Sequence, residues 1–200
     1  MANYCSNCIA FFGNDLDKLE HLRKMMDDTF NEEDCHSIQN FVLKYGYTKE
    51  EAYDFTDGRD TFVHIDDEVS KDDKGYYFTI QTETAWNPNV EVFRKVIEDH
   101  YEDDIDFVHC SEEPGFAIYV NTDTDGRFYE DKFHLDYCVK EKYVMEYFIS
   151  FEDVIKALTE DFPELEFSIY DSVDEINDRV QTLLDDSKDD YFNLYEYTEE

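Results

Sequence analysis

A chain of 200 residues with 52 Asp and Glu against 17 Lys and Arg carries a formal charge of −35 at pH 7. That balance excludes the basic surface that a nucleic-acid binder needs to neutralise phosphates, and it disfavours anionic membranes. The 16 Tyr and 17 Phe exclude a disordered acidic tail, because segments that stay unfolded are poor in aromatics.

The elements follow in chain order. Tyr4–Phe12 reads as a strand ended by Gly13, and Asn14 as the cap of a helix in which Leu16, Leu19, Leu22 and Met26 recur at helical spacing. A short helix over Ile38–Tyr45 stops at Gly46, and Thr48 with Glu51 forms a capping box for another that ends near Phe55. Thr61–Ile65 and Tyr76–Glu83 read as strands joined by the polar connection Asp66–Gly75. Pro88 precedes a helix over Asn89–His100 with the apolar stripe Val92, Phe93, Val96 and Ile97. Strands follow over Ile105–Cys110, Phe116–Asn121 and Tyr129–Val139, the last two joined by a turn at Asp123–Gly126. Tyr143–Ile149 is a strand, Ser150 caps a helix through Val154, Ile155 and Leu158, and Leu165–Tyr170 is a further strand. Ser172 with Glu175 boxes a last helix through Ile176, Val180 and Leu183. Ser187–Glu200, acidic with interleaved Tyr, reads as a mobile or partner-docked tail.

This order predicts an α+β fold, an antiparallel sheet with helices segregated to one side. The expected organisation is a domain over residues 1–140, a β-α-β-α extension over 141–186 packed on it, and the tail 187–200. The open face of the sheet is expected to carry Tyr77, Thr79, Gln81, Tyr119, His134 and Asp136. No apolar run reaches the about 20 residues that span a bilayer. The start lacks the features of an export signal, and five scattered cysteines fit a reducing compartment. The expected location is therefore the cytoplasm.

Two stretches resemble a known family. Ala2-Asn3-Tyr4-Cys5-Ser6-Asn7 resembles the opening strand of the ferredoxin-like domain of YubB-type plasmid and phage proteins. Thr82–Gly126, with its aromatic–Pro junction, helix, two strands and hairpin, is similar to that domain's second half. The resemblance covers about residues 1–126, extends at most to 139, and implies a ferredoxin-like sheet and a phage or mobile-element origin. It implies no catalytic residues. The chain departs from the family in its greater acidity and its C-terminal extension.

Three constellations invite chemistry. Cys5 and Cys8 form a Cys-x-x-Cys, but three residues apart on a strand the thiols take opposite faces, which suits buried free thiols better than zinc. Asn121-x-Asp123-x-Asp125-Gly126 begins like a calcium loop, but Lys132 stands where the bidentate Glu belongs. No phosphate loop, nucleophile elbow or His-Glu-x-x-His is present, so neither an enzyme nor a cofactor is expected.

The acidic clusters remain: Asp66, Asp67 and Glu68 with Asp72 and Asp73; Glu102, Asp103 and Asp104; Asp185 and Asp186 with Asp189 and Asp190. Adaptation to high salt fits poorly with Lys outnumbering Arg, and solubility needs a charge magnitude of only about 2–8. The expectation is a surface that meets a basic partner, with Tyr77, Tyr119, Tyr191 and Tyr195 as aromatic anchors. That partner would be a nucleic-acid-binding host protein, such as a CRISPR effector or restriction enzyme, whose groove the chain fills as a nucleic-acid mimic. The alternative is an acidic accessory or assembly protein whose charge serves only solubility.

Overall fold

A computed structural model describes residues 3–32, 36–56, 59–102, 104–184 and 189–199, and divides the chain into two units, Met1–Thr122 and Asp123–Glu200. In the first unit, β1 (Tyr4–Gly13) alternates: Cys5, Asn7, Ile9 and Phe11 are buried on one face, while Tyr4 and Ser6 on the other are exposed. Helix α1 (Leu16–Phe30) is capped by Asp15, one residue later than its sequence suggests. The Asp15 carboxylate accepts from Lys18 N at 3.1 Å. Buried Leu19, Leu22 and Met26 make its inner stripe. Short helices α2 (Ile38–Lys44) and α3 (Lys49–Phe55) follow, the latter with the Thr48–Glu51 capping box.

Then come β2 (Thr61–Ile65), β3 (Ser70–Asp72), β4 (Gly75–Ala85), α4 (Glu91–His100), β5 (Ile105–Glu113) and β6 (Ile118–Asn121). The polar connection after β2 thus contains a short strand that hairpins onto β4. A 3₁₀ turn at Pro114–Phe116 delays the start of β6, and Asn89, with φ 45°, stands outside α4.

The sheet order is β2-β4-β1-β5-β6, with β3 also on β4. β4 runs antiparallel to both β1 and β2 and lies between them, the split β-α-β arrangement of ferredoxin-like sheets. All four helices share one apolar cluster with Ile9, Phe11, Phe78, Ile80 and Phe107, so they cover one face. Phe11 is its centre, with ring centroids 5.1 Å from Phe78 and 5.6 Å from both Phe93 and Phe107. At one end the core face turns polar. Asn7 donates to Thr82 Oγ1 at 3.2 Å and to Thr84 Oγ1 at 3.0 Å. Buried Asp60 accepts from Ala85 N at 3.2 Å and Asn89 Nδ2 at 3.1 Å, holding both sides of a bend in which Trp86 sits at φ 71°.

The second unit comprises β7 (Phe133–Val139), β8 (Lys142–Phe148), α5 (Phe151–Asp161), α6 (Val173–Gln181) and β9 (Tyr191–Glu196). Its sheet order is β8-β7-β9, antiparallel throughout. Leu135, Tyr137, Phe192 and Leu194 pack with Val154 and Leu158 of α5 and Ile176 and Val180 of α6.

Here the structure corrects four expectations. Asp123–Gly126 does not close a hairpin, because β6 and β7 belong to different sheets. Instead the buried Asp123 carboxylate accepts from Phe128 N at 2.6 Å and Tyr129 N at 3.0 Å. Residues 123–140 accordingly belong to the second unit, so the boundary lies before 140. Leu165–Tyr170 is not a strand but turns, in which Asp171 accepts from Ser168 N at 2.8 Å and pairs bidentately with Arg179 at 2.7 and 3.1 Å. Most consequentially, the expected tail contains β9, with Phe192 and Leu194 buried.

The β7–β8 turn places Lys140 at φ 52° and Glu141 at φ 67°, the left-handed pair of a type I′ turn. A left-handed conformation costs an ordinary residue roughly 1–2 kcal/mol that glycine avoids. Glu141→Gly should therefore stabilise the second unit by about 1 kcal/mol, read as slower hydrogen exchange at Leu135 and Tyr137.

Candidate partner-binding surface

The side of the second unit's sheet opposite α5 and α6 forms a three-by-three grid. Register sets Tyr143–Cys138–Tyr191 in one row, Met145–Asp136–Asn193 in the next, and Tyr147–His134–Tyr195 in the third. Four tyrosines thus stand at the corners around one carboxylate. Tyr143 is 61 % exposed, Met145 53 % and Tyr147 43 %. Tyr191 donates its hydroxyl to Asp136 Oδ1 at 2.9 Å, and burial together with that carboxylate pushes its phenol up to about 12. A carboxylate offers about four acceptor positions, so this single bond leaves Asp136 able to receive a cation. At the other end, His134 stacks on Tyr147 with centroids 4.5 Å apart. Beyond β8, Ile149, Asp153, Lys156, Ala157 and Glu160 help to line a depression of about 380 Å³. Elsewhere on this unit the Asp171–Arg179 clamp fixes the loop that presents Tyr170, 90 % exposed.

Of the aromatic anchors expected from the sequence, Tyr191 and Tyr195 belong to this grid. Tyr77 and Tyr119 do not: they lie on the first unit's sheet, Tyr77 half-buried and Tyr119 only 4 % exposed. The expected single open face is thereby corrected as well, since His134 and Asp136 lie on β7, in a separate sheet from Tyr77, Thr79 and Gln81. Tyr143, Met145 and Tyr147 were not among the expected anchors, although their alternation in Lys-Tyr-Val-Met-Glu-Tyr-Phe carries the signal.

Several of the expected acids have local employment. Asp66 accepts from Thr79 N at 2.7 Å and Thr79 Oγ1 at 3.0 Å, and Asp72 from Lys74 N at 2.8 Å, so both shape loops. Lys18 pairs with Asp104 and lies 3.9 Å from Glu102. Asp190 accepts from Lys140 N at 3.3 Å. Asp67, Glu68, Asp73 and Asp189 are exposed. Asp103, Asp185 and Asp186 lie outside the described residues.

The scarce cations are spent locally. Lys44 pairs with Glu32, Arg94 with Glu91, Lys95 with Asp99, Lys140 with Glu164 and Lys142 with Asp161. Arg59 and Arg127 lie over Trp86 and Phe128. These cations are thus tied to individual neighbours, within a chain that carries an excess of 35 acids.

Burial shifts the titration of two thiols and one imidazole. Burial and the nearby Glu113 push the Cys5 thiol up to about 12, and burial raises Cys8, so neither supplies a thiolate near neutral pH. The two occupy opposite faces of β1. His109 Nδ1 is bonded to Ser111 Oγ at 2.7 Å, and burial with the charge of Arg94 drives the imidazole down to about 4. Among the described residues no cluster of three or more His, Cys, Asp or Glu is arranged to hold a metal ion, and no helix is long and apolar enough to cross a membrane. Comparison with family models, curated proteins and solved structures finds no match to this chain.

Proposed function

We propose that this chain is a non-catalytic acidic inhibitor, encoded by a phage or mobile element, that occupies the basic nucleic-acid groove of a host defence nuclease in place of DNA or RNA. The observation that carries the reading is a charge of −35 on a folded chain, with Lys44, Lys95 and Lys142 among the cations already paired to individual acids. Duplex DNA carries one charge per about 1.7 Å, hence about twenty per turn. The chain therefore presents the charge of roughly one to two turns on two folded units. Self-repulsion of this size opposes folding and is relieved when a cationic groove closes over it. Tyrosines among the carboxylates supply desolvated anchors that charge alone lacks.

Affinity for such a partner should fall at least about tenfold between about 50 and about 200 mM salt, since long-range steering is screened over that range. Capture from bacterial lysate on the immobilised full chain should recover basic nucleic-acid-binding proteins that DNA and salt displace. Recovery of only neutral or acidic proteins would end the proposal. A second reading, an accessory protein whose acids only keep it dissolved, is favoured by the exposed Tyr143, Met145 and Tyr147. Reversing Asp67, Glu68 and Asp73 to Lys separates the two: partner binding is lost under the first and kept under the second.

A further inference from the structure

β8 is the outer strand of its sheet, and among the described residues no strand pairs with its far side. The opposite border is different. Asn177 of α6 donates to Leu194 O and accepts from Leu194 N, each at 2.9 Å, so its side-chain amide does for β9 what a neighbouring strand would do. The same bonds fix the pattern across the sheet. Leu194 points its backbone groups away from β7, so its partner Leu135 points its own toward Glu146 of β8. Alternation then aims the N–H and C=O groups of Tyr143, Met145 and Tyr147 outward. Sheet edges are ordinarily guarded by charged side chains, proline, bulges or a covering element. β8 carries Lys142 and Glu146, but it contains no proline and runs in unbroken register with β7 over seven residues.

We propose that the outer edge of β8 receives an extended, arginine-bearing segment of the basic partner as a fourth strand. This rests on the proposed function and specifies where, and in what conformation, that partner engages. Charge selects the occupant. A second copy would bring another −35 against the first, whereas an arginine-bearing segment reduces the repulsion. Shape agrees. Backbone bonds would run to Met145, and alternate side chains would lie beside Tyr143, Met145 and Tyr147. The residue opposite Met145 would stand two strand spacings, about 9.6 Å, from the backbone of β7 at Asp136. An arginine there can lie across the Met145 thioether between two tyrosine rings and offer its guanidinium to the Asp136 carboxylate.

The test uses the full chain and two synthetic peptides. One is a nine-residue peptide of alternating Arg and Val; the other has the same charge, with Pro at alternate Val positions to prevent strand pairing. The alternating peptide should bind at least about tenfold more tightly and slow amide exchange at Tyr143, Met145 and Tyr147 by about tenfold or more. Asp136→Asn, which keeps an acceptor for Tyr191, should weaken that binding about fivefold or more. Equal binding of both peptides, or binding without protection of those amides, overturns strand addition and leaves the basic-partner reading standing. So does failure of both peptides while the lysate still gives a basic protein. Failure of both peptides and of the lysate capture sinks both ideas together.

Discussion

Deleting residues 189–200 is expected to unfold the second unit. Leu194 is fully buried, and Phe192 packs its ring 5.7 Å from Tyr137 and 5.8 Å from Phe162, so the segment supplies one wall of that core. It also contributes one of three strands, and two strands alone are marginal in water. Leu194→Ala alone should cost about 2–5 kcal/mol, against a total stability of about 5–15 kcal/mol for a typical domain. Removing the strand adds the loss of Phe192 and of the pairing with β7 over Phe133–Cys138. Hydrogen exchange at Leu135 and Tyr137 should approach unfolded rates in the truncated chain. Protection left as in the full chain would mean that the segment is dispensable.

The second large effect concerns pH. His109 is held neutral in the fold, driven down to about 4 by burial and by Arg94, from an ordinary value of 6.5. Between those two values the unfolded chain binds a proton at this site and the folded chain does not. Stability from this site is therefore complete above about pH 6.5 and is lost progressively as the pH falls toward about 4. Two and a half pH units correspond to about 3 kcal/mol. Protonation of carboxylates acts in the opposite direction by relieving repulsion, so the measurement is a difference. His109→Gln keeps a polar group beside Ser111 but does not titrate. The stability of the parent minus that of the variant should fall by about 3 kcal/mol between pH 7 and pH 4. A difference that does not change with pH would contradict the neutral, buried imidazole.

The first unit was legible wherever one signal acted alone. The stripe Leu19, Leu22, Met26 has only a helical reading, and Thr48 with Glu51 can satisfy two backbone donors only at a helix start. The α+β class and the antiparallel sheet followed from such elements. The second unit was harder because local and long-range signals disagree. Leu165–Tyr170 has strand-forming residues, but the Asp171–Arg179 clamp and the Ser168 turn hold it in bends, with Leu165 and Phe167 packed against the core. Tyr191–Glu196 alternates as a strand should, yet it follows an acidic run that suggests a solvated tail. Its burial depends on β7, more than fifty residues earlier in the chain, and pairing at that distance leaves no local mark. For the same reason Tyr191 and Tyr195 stand out singly in the sequence, while the grid they form with Tyr143, Met145 and Tyr147 emerges only from the register. Net charge was plain from composition. Which carboxylates shape loops, as Asp66 and Asp72 do, was not.

Asn177 has a consequence for assembly size. Because its amide occupies both backbone groups of Leu194, while among the described residues no strand pairs with the far side of β8, this sheet offers strand addition at one border and obstructs it at the other. If a strand adds at β8, repetition of that pairing through the β9 border is expected to be disfavoured, which would limit open-ended growth through this sheet.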